Sequence, residues 1–277
     1  QKVTVQSVDT ASEAYALSLA EKARIDMPYM SQLTGKTEQE LFEDLKGVIF
    51  LNPMYISEED GKPKYLPADE YLSGNVREKF RWAKRSAELC PEDYGENVRA
   101  LEAVQPVDLT ASEISVRLGA TWLPPETIEE FMFELFSTPR YCQWNIHVHY
   151  AQYTGEWNVE GKSYDRSNVK AHNTYGTGRV NGYKIMEETL NLRDVRIFDY
   201  IEDANGRKTA VLNKKETAIA QGKQELIKQA FADWIWSDPE RREQLTKLYN
   251  EKFNSIRPRE YDGSHLNFVG INPEITL

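Results

Sequence analysis

The sequence predicts an α+β fold, in which a helical, winged-helix-like region precedes further helices and a mixed region with a small antiparallel sheet. Three observations predict it. Residues 12–66 contain three short helical patterns followed by two short β-prone runs, which is the order of a winged helix. Beyond Pro139 the chain becomes aromatic and β-prone. Two long helical patterns then occupy residues 213–253.

The winged-helix-like region has clear start and stop signals. The first helix is predicted from residue 12 to residue 23 by its apolar spacing. Asp26 followed by Pro28 starts the second helix, and Thr37 with Glu40 has the capping-box spacing that starts the third. Gly47 stands where a left-handed helix cap belongs, and the β-prone runs that follow predict a hairpin.

The next helix, predicted over residues 75–89, has a basic stripe beside its apolar one. The apolar stripe consists of Val76, Phe80, Ala83 and Ala87. The basic stripe consists of Arg77, Arg81, Lys84 and Arg85, at positions i, i+4, i+7 and i+8. Such a stripe is either a solvated helix face or a set of contacts to a phosphate backbone. We take these four residues as candidate nucleic-acid ligands.

The charge distribution limits what the N-terminal region does. The net charge is −10, and residues 1–164 hold 27 acidic against 16 basic side chains, whereas residues 165–277 hold 17 against 18. A uniformly acidic surface repels phosphate. The third helix carries Glu38, Glu40, Glu43 and Asp44 against Lys46. We therefore expect that this helix packs on another domain and does not enter the major groove.

The remaining elements follow in order along the chain. Pro124 and Pro125 introduce a helix with an unbroken apolar stripe, and residues 144–150 and 157–159 form a predicted hairpin. The sequence next predicts a helix over 180–191 and two strands, over 195–201 and 209–212, which are joined by a turn at Asp203-Ala204-Asn205-Gly206. Two long helices complete the prediction. The predicted domains are a winged-helix-like region (1–73), a helical region (74–138) and an α+β region (139–277).

A second candidate nucleic-acid site lies in the C-terminal region. Lys170, Tyr175 and Arg179 place cations and an aromatic ring near a glycine turn, where rings can stack on bases and cations can hold phosphates. Their neighbours in this pattern are His172, Asn181, Tyr183 and Lys184. The alternative is that the tyrosines pack the domain.

No catalytic residue is predicted. The chain lacks the glycine–lysine spacing of a phosphate loop and the serine or cysteine motifs of nucleophilic enzymes. His147 and His149 share one face of a predicted strand, with His172 as a third candidate ligand. Histidines in aromatic-rich strands often form surface ladders, so we predict no metal. A metal-dependent nuclease stays an alternative that requires a third ligand within reach.

Cysteine usage and hydropathy bear on the compartment. Cys90 and Cys142 lack the paired spacing of zinc sites, and reduced thiols in a cytoplasmic protein are expected. The sequence has no apolar run of membrane-spanning length and no secretory signal pattern. We expect no membrane contact.

Several long runs of the sequence resemble one known family. They include Ala68–Lys79, Val116–Trp122 and Asn213–Gly263, and the most specific are Asn213-Lys214-Lys215-Glu216-Thr217-Ala218 and Tyr249-Asn250-Glu251-Lys252-Phe253-Asn254-Ser255-Ile256. These runs are similar to the large DNA methylase–helicase proteins of bacterial conjugative elements and phages.

The resemblance implies that the chain, which begins at Gln1 without methionine, is an internal piece of a larger protein. In that family the piece lies between an adenine-methylase-like domain and a Swi/Snf-like helicase motor, which would be its partners together with DNA. The resemblance implies ATP and S-adenosylmethionine as cofactors of the parent protein, and an enzymatic parent, but neither cofactor nor catalysis for this piece. Asn52-Pro53-Met54-Tyr55 only partly matches the family's methylase motif, so a hairpin turn is expected there. A structural spacer or protein-interaction module is the alternative role.

Overall fold

A computed structural model describes residues 7–202 and 206–260. The chain divides into two compact units, which are described separately. Unit 1 contains residues 1–108 and 250–277, and unit 2 contains residues 109–249. The three domains predicted from the sequence stay a prediction.

Unit 1 begins with the predicted three helices and hairpin. The elements are α1 (Ala11–Lys22), α2 (Met27–Thr34), α3 (Glu38–Asp44), β1 (Ile49–Leu51) and β2 (Tyr65–Pro67). Strands β1 and β2 pair antiparallel, with Phe50 opposite Leu66. The predicted caps form, because the side chains of Asp26 and Thr37 accept hydrogen bonds from the first turns of α2 and α3. Gly47 has a left-handed conformation, though two residues after the cap of α3.

The rest of unit 1 packs a helical hairpin beside the winged-helix-like region. Its elements are α4 (Ala68–Tyr71), β3 (Gly74–Asn75), α5 (Val76–Leu89), α6 (Pro91–Ala103) and β8 (Ile256–Arg257). A small core holds these elements together, made by Phe50, Tyr71, Val76, Ala83 and Leu101. Strand β3 pairs antiparallel with β8, about 180 residues later in the chain. Helix α6 lies within the predicted helical region and has local start signals in Pro91, Glu92 and Asp93, whereas the β3–β8 pairing joins distant segments and follows from no local pattern.

Unit 2 is the mixed region, and it contains two hairpins and most of two long helices. Its elements are α7 (Pro125–Phe136), α8 (Arg140–Gln143), β4 (His147–Ala151), β5 (Glu156–Glu160), α9 (Gly182–Leu190), β6 (Phe198–Glu202), β7 (Lys208–Leu212), α10 (Lys214–Trp234) and α11 (Pro239–Phe253). The last four residues of α11 belong to unit 1. A π-helical turn, Lys170–Thr174, precedes α9. The apolar stripe of α7 is buried, and Phe131 packs edge-on against Phe231 at 5.1 Å. The α+β class predicted from the sequence is confirmed.

Strand β6 begins three residues later than predicted. Val195 and Ile197 are buried, and their backbone N–H groups donate to the side chains of Gln224 and Thr217 on α10, at 3.2 and 2.9 Å. Side chains of α10 therefore accept the hydrogen bonds that a neighbouring strand would otherwise accept, and the pairing of β6 with β7 starts only at Phe198. Most of the turn predicted at Asp203-Ala204-Asn205-Gly206 lies outside the described residues.

Candidate nucleic-acid interface

Helix α5 carries the first predicted site, and its sequence determines which face is exposed. The side chain of Asn75 accepts a hydrogen bond from the N–H of Glu78 and starts the helix. Val76 and Ala83 are fully buried in the core of unit 1, so the opposite side of the helix faces solvent. The basic stripe extends from the edge of the buried side, at Lys84 and Arg77, to the solvent side, at Arg85.

Arg77 is the member of the stripe that the fold uses for itself. Only 18% of its side chain is exposed. Its Nε donates to the backbone oxygen of Asn254 at 2.8 Å, and its Nη2 donates to the oxygen of Pro106 at 3.3 Å and pairs with the carboxylate of Asp108. The guanidinium therefore ties α5 to two distant stretches of unit 1, and it has few donors left for a phosphate.

The other three cations are exposed. Arg81 is 59% exposed, and its nearest carboxylate, that of Glu251, is 3.8 Å away. Lys84 Nζ lies 4.1 Å from the centre of the Phe80 ring. Within residues 7–202 and 206–260, no carboxylate lies within ion-pair distance of Lys84 or Arg85. Lys84 and Arg85 are therefore available to a negatively charged ligand, and Arg81 is largely exposed although it forms an ion pair of 3.8 Å with Glu251.

An aromatic ring lies among them that the sequence reading did not select. Trp82 is exposed, and the guanidinium carbon of Arg85 lies 5.5 Å from its ring centre. This is a cation–π geometry, and both groups can contact nucleic acid, one by stacking and one by charge. The sequence signal was an aromatic residue placed between Arg81 and Lys84. We call Arg81, Trp82, Lys84 and Arg85 the α5 face.

The second predicted set is in unit 2, and its members have structural contacts. Lys170 Nζ donates to the Ser137 hydroxyl at 2.8 Å, and the Tyr175 ring packs 5.8 Å from the Phe136 ring. Arg179 is attached to β6, because it donates to Asp199 at 2.8 Å and to the backbone oxygen of Phe198 at 2.9 Å. The Arg179 hydrogen bond holds the pKa of Asp199 below its usual value. The structure does not gather Lys170, Tyr175 and Arg179 into one free surface.

The neighbours of this set are also engaged in packing. Tyr183 is fully buried, its hydroxyl donates to Asp165 at 2.8 Å, and it lies 2.7 Å from the hydroxyl of Thr138. Burial, with the hydrogen bond to Asp165, raises the pKa of Tyr183. Asn181 caps α9, and Lys184 pairs with Glu187 and Glu188. The alternative that tyrosines of this set pack the domain is confirmed for Tyr183.

The acidic helix α3 is linked to the β1–β2 hairpin, which is the wing. Glu38 accepts hydrogen bonds from Lys64 Nζ and from the Tyr65 hydroxyl, both at 2.7 Å. The Lys64 hydrogen bond lowers the pKa of Glu38. Glu40 is used in the capping box with Thr37. These acids hold the winged helix together, and they give α3 a negative surface where groove-reading helices carry cations.

The three described histidines, His147, His149 and His172, do not form a metal-binding set. His147 Nδ1 lies 3.6 Å from the carboxylate of Glu129, and His149 Nε2 lies 3.6 Å from that of Glu160. The two imidazole rings are 6.2 Å apart. His172 Nε2 lies 3.1 Å from the backbone oxygen of Asp165. In the part of the chain that the structure describes, no group of three His, Cys, Asp or Glu residues could hold a metal ion.

Asn52 has a turn-forming role. It is buried at the end of β1, its Nδ2 donates to the oxygen of Pro63 at 2.9 Å, and its Oδ1 accepts from the N–H of Met54 at 3.0 Å. The side chain thus closes the base of the wing loop. The hairpin turn expected at this partial methylase motif is confirmed.

Two family models match the chain. Residues 7–57 match a family described as "Probable helicase, winged helix domain", and residues 117–255 match a family described as "Domain of unknown function (DUF8437)". No curated protein and no solved structure matches the chain. The first match confirms a helicase-associated winged helix. Among the described residues, no helix is both long enough and apolar enough to cross a membrane.

Proposed function

The chain belongs to the DUF8437 family, whose model covers half of it, and its N-terminus is a helicase-type winged helix; we propose that it is a DNA-contacting accessory region of a helicase. In this proposal the region is non-catalytic. The supporting observation is the α5 face, which places three exposed cations and a tryptophan on one helix of the unit that contains the winged helix.

In this proposal the winged helix has mainly a structural role, and it contacts DNA less than α5 does. The carboxylates of α3 would be repelled by phosphates in the major groove. The α5 face lies outside α3 and the wing, in the same unit. DNA is therefore contacted by the adjoining helix, and α3 is left to pack on another domain, as expected from its charge.

The proposal includes the parent protein that the sequence resemblance implies. The partners are DNA and flanking methylase-like and helicase regions, in the cytoplasm of a bacterium that carries the mobile element. ATP and S-adenosylmethionine are cofactors of those flanking regions, and we propose none for this one. Three exposed cations are too few for tight binding alone, which fits a region that acts beside a motor.

Charge reversal of the α5 face tests the proposal. The variant is Arg81→Glu/Lys84→Glu/Arg85→Glu, and the affinity for short duplex and single-stranded DNA is measured by fluorescence anisotropy at about 50 and about 200 mM salt. The plot of log K against log salt concentration has a negative slope, and loss of three phosphate contacts makes that slope shallower by about 2 to 3. An affinity and a salt slope that both match the wild type refute the proposal.

Two controls make the result specific. Lys214→Glu/Lys215→Glu/Lys228→Glu applies the same charge change to exposed cations of α10, and it should have a much smaller effect. Arg77→Ala should lower the stability of unit 1, because it removes the contacts with Asn254 and Asp108. If the α10 variant weakens binding as much as the α5 variant, the effect is one of net charge and the α5 face is not the site.

A protein-interaction role is the second candidate, and the β6–β7 hairpin favours it. Most of its residues are exposed, and its exposed apolar side chains occupy both faces. They are Phe198, Tyr200, Ile201, Val211 and Leu212. Exposed apolar surface of this kind often marks a protein contact. If charge reversal of α5 has no effect while Ile201→Ser/Val211→Ser weakens association with a flanking region of the parent protein, the interaction role replaces the DNA role.

A further inference from the structure

Three aromatic side chains of unit 2 are exposed on two neighbouring segments of the chain. Tyr141 and Trp144, in and next to α8, are 71% and 81% exposed. Tyr164, in the loop that follows β5, is 63% exposed. A tryptophan in a packed domain is on average largely buried, so a ring this exposed needs a reason.

The two segments that carry these rings are held against each other. Cys142 Sγ donates to the buried carboxylate of Asp165 at 3.8 Å, and Asn168 Nδ2 donates to the backbone oxygen of Phe136 at 2.9 Å. A Cβ atom on Gly161 would overlap the backbone oxygen of Asn145, so the loop passes directly over the residue after Trp144. Because Tyr141 and Tyr164 adjoin Cys142 and Asp165, the two segments bring the exposed rings into the same region of unit 2.

The same region is cationic. Arg140 precedes Tyr141, and Arg166 follows Tyr164 by two residues. Residues 137–147 and 161–174 contain one acidic residue, Asp165, which is buried. In the described part of the chain, no carboxylate lies within ion-pair distance of Arg140 or Arg166. Carboxylates adjoin these segments at Glu129 and Glu160, which lie 3.6 Å from His147 and His149, respectively.

We propose that Arg140, Tyr141, Trp144, Tyr164 and Arg166, the α8 face, bind single-stranded nucleic acid. Exposed rings gain most by stacking on bases, and bases offer their flat faces only when a strand is unpaired. The two guanidinium groups provide the attraction for the phosphates between stacked bases. A duplex presents phosphates but no free base faces, so its phosphates would contact the arginines while no base would stack on the rings.

The charge pattern also distinguishes this face from the β6–β7 hairpin. The hairpin exposes Ile201, Val211 and Leu212 beside two rings, and its strands also carry the carboxylates of Asp199 and Glu202, whereas the segments of the α8 face expose rings and arginines and contain only a buried acid. The proposal is independent of the α5 face, which lies in the other unit and which we assign to DNA contact on different residues.

The experiment measures binding of the full chain to a fluorescently labelled oligothymidylate of about 15 nucleotides, a length within the range that one binding fold covers. Trp144→Ala should weaken binding about tenfold, because stacking on one aromatic ring contributes about that much. Arg140→Gln/Arg166→Gln should weaken it as well and lower the salt dependence. Tyr153→Ala, which removes a fully exposed ring at the tip of the β4–β5 hairpin, is the matched control and should bind as the wild type does.

The outcomes separate this proposal from the α5 proposal. Weaker binding in Trp144→Ala and in the arginine variant, with normal thermal unfolding, supports the α8 face whatever the α5 variant does. Unchanged binding in Trp144→Ala, or equal losses in Trp144→Ala and Tyr153→Ala, overturns it. If only the charge reversal of α5 reduces binding, the proposed function stands and the α8 face is not a nucleic-acid site.

Discussion

Replacement of Gly161 by alanine should cost far more stability than the same replacement at Gly155. Both glycines lie in unit 2, at the two ends of β5, and both have a φ angle of +69°. They differ in their surroundings. A Cβ on Gly161 would overlap the backbone oxygen of Asn145 and lie 2.9 Å from its carbonyl carbon, whereas a Cβ on Gly155 would meet only the Tyr150 hydroxyl, at 4.0 Å.

The expected magnitude follows from this difference. The left-handed conformation costs any L-residue about 1–2 kcal/mol, and this cost is common to both variants. At Gly161 the added methyl group also meets rigid backbone, and such overpacking costs about 1–3 kcal/mol more. For a unit the size of residues 109–249, each kcal/mol lowers the melting temperature by about 3–4 °C. We therefore expect Gly161→Ala to melt about 3–12 °C below Gly155→Ala.

The assay is unfolding by urea and by heat, followed by tryptophan fluorescence. Five of the six tryptophans lie in residues 109–249, so the signal reports mainly on unit 2. Equal free energies of unfolding for the two variants would refute the reasoning, since they share the left-handed strain and differ only in the close approach. The same result would weaken the placement of Trp144 and Tyr164 in one region of unit 2.

Two further predictions concern buried polar groups of unit 2. Tyr183→Phe should lower the free energy of unfolding by about 1–3 kcal/mol, because it removes a donor from the buried carboxylate of Asp165. The control is Tyr29→Phe, which removes an exposed hydrogen bond to Glu21. In urea unfolding, the control should lose less free energy of unfolding than Tyr183→Phe. Glu187 has a lowered pKa, because hydrogen bonds from Lys162, Lys184 and a backbone N–H outweigh the desolvation that raises it. Its stabilising effect is therefore complete above its usual pKa of 4.5 and is lost as the pH falls through the lower folded-state pKa. The urea midpoint of the wild type should fall over this acid range, and that of Glu187→Gln should start lower and fall less; parallel curves for the two proteins would contradict the assignment.

The helices and their starts could be predicted because their signals are local. Thr37 and Glu40 form the predicted capping box, and Asn213 caps α10 in the same way through the N–H of Glu216. These bonds connect residues three apart, so the sequence alone contains both partners. The order of helices and hairpin then indicated the winged helix, which the family match confirmed.

The candidate sites could be predicted only in part, because the availability of a cation depends on what lies beside it. Arg77 and Arg81 have the same type of side chain on the same helix, yet Arg77 contacts the backbone of Asn254 and Arg81 is mostly exposed. In the same way, Arg179 has its partners on β6. These partners are 19 to 177 residues away in the chain, beyond the reach of any periodic pattern.

The sequence by itself determined the α+β class, the helix caps, the acidic character of α3 and the basic stripe of α5, because these depend on residue types and short spacings. Only the tertiary structure decided that Arg77 is engaged in packing, that Trp82 lies beside Arg85, and that the segments carrying Trp144 and Tyr164 contact each other. The physical reason is that chain segments distant in sequence meet only on folding, and each such contact either occupies a polar group or leaves it exposed.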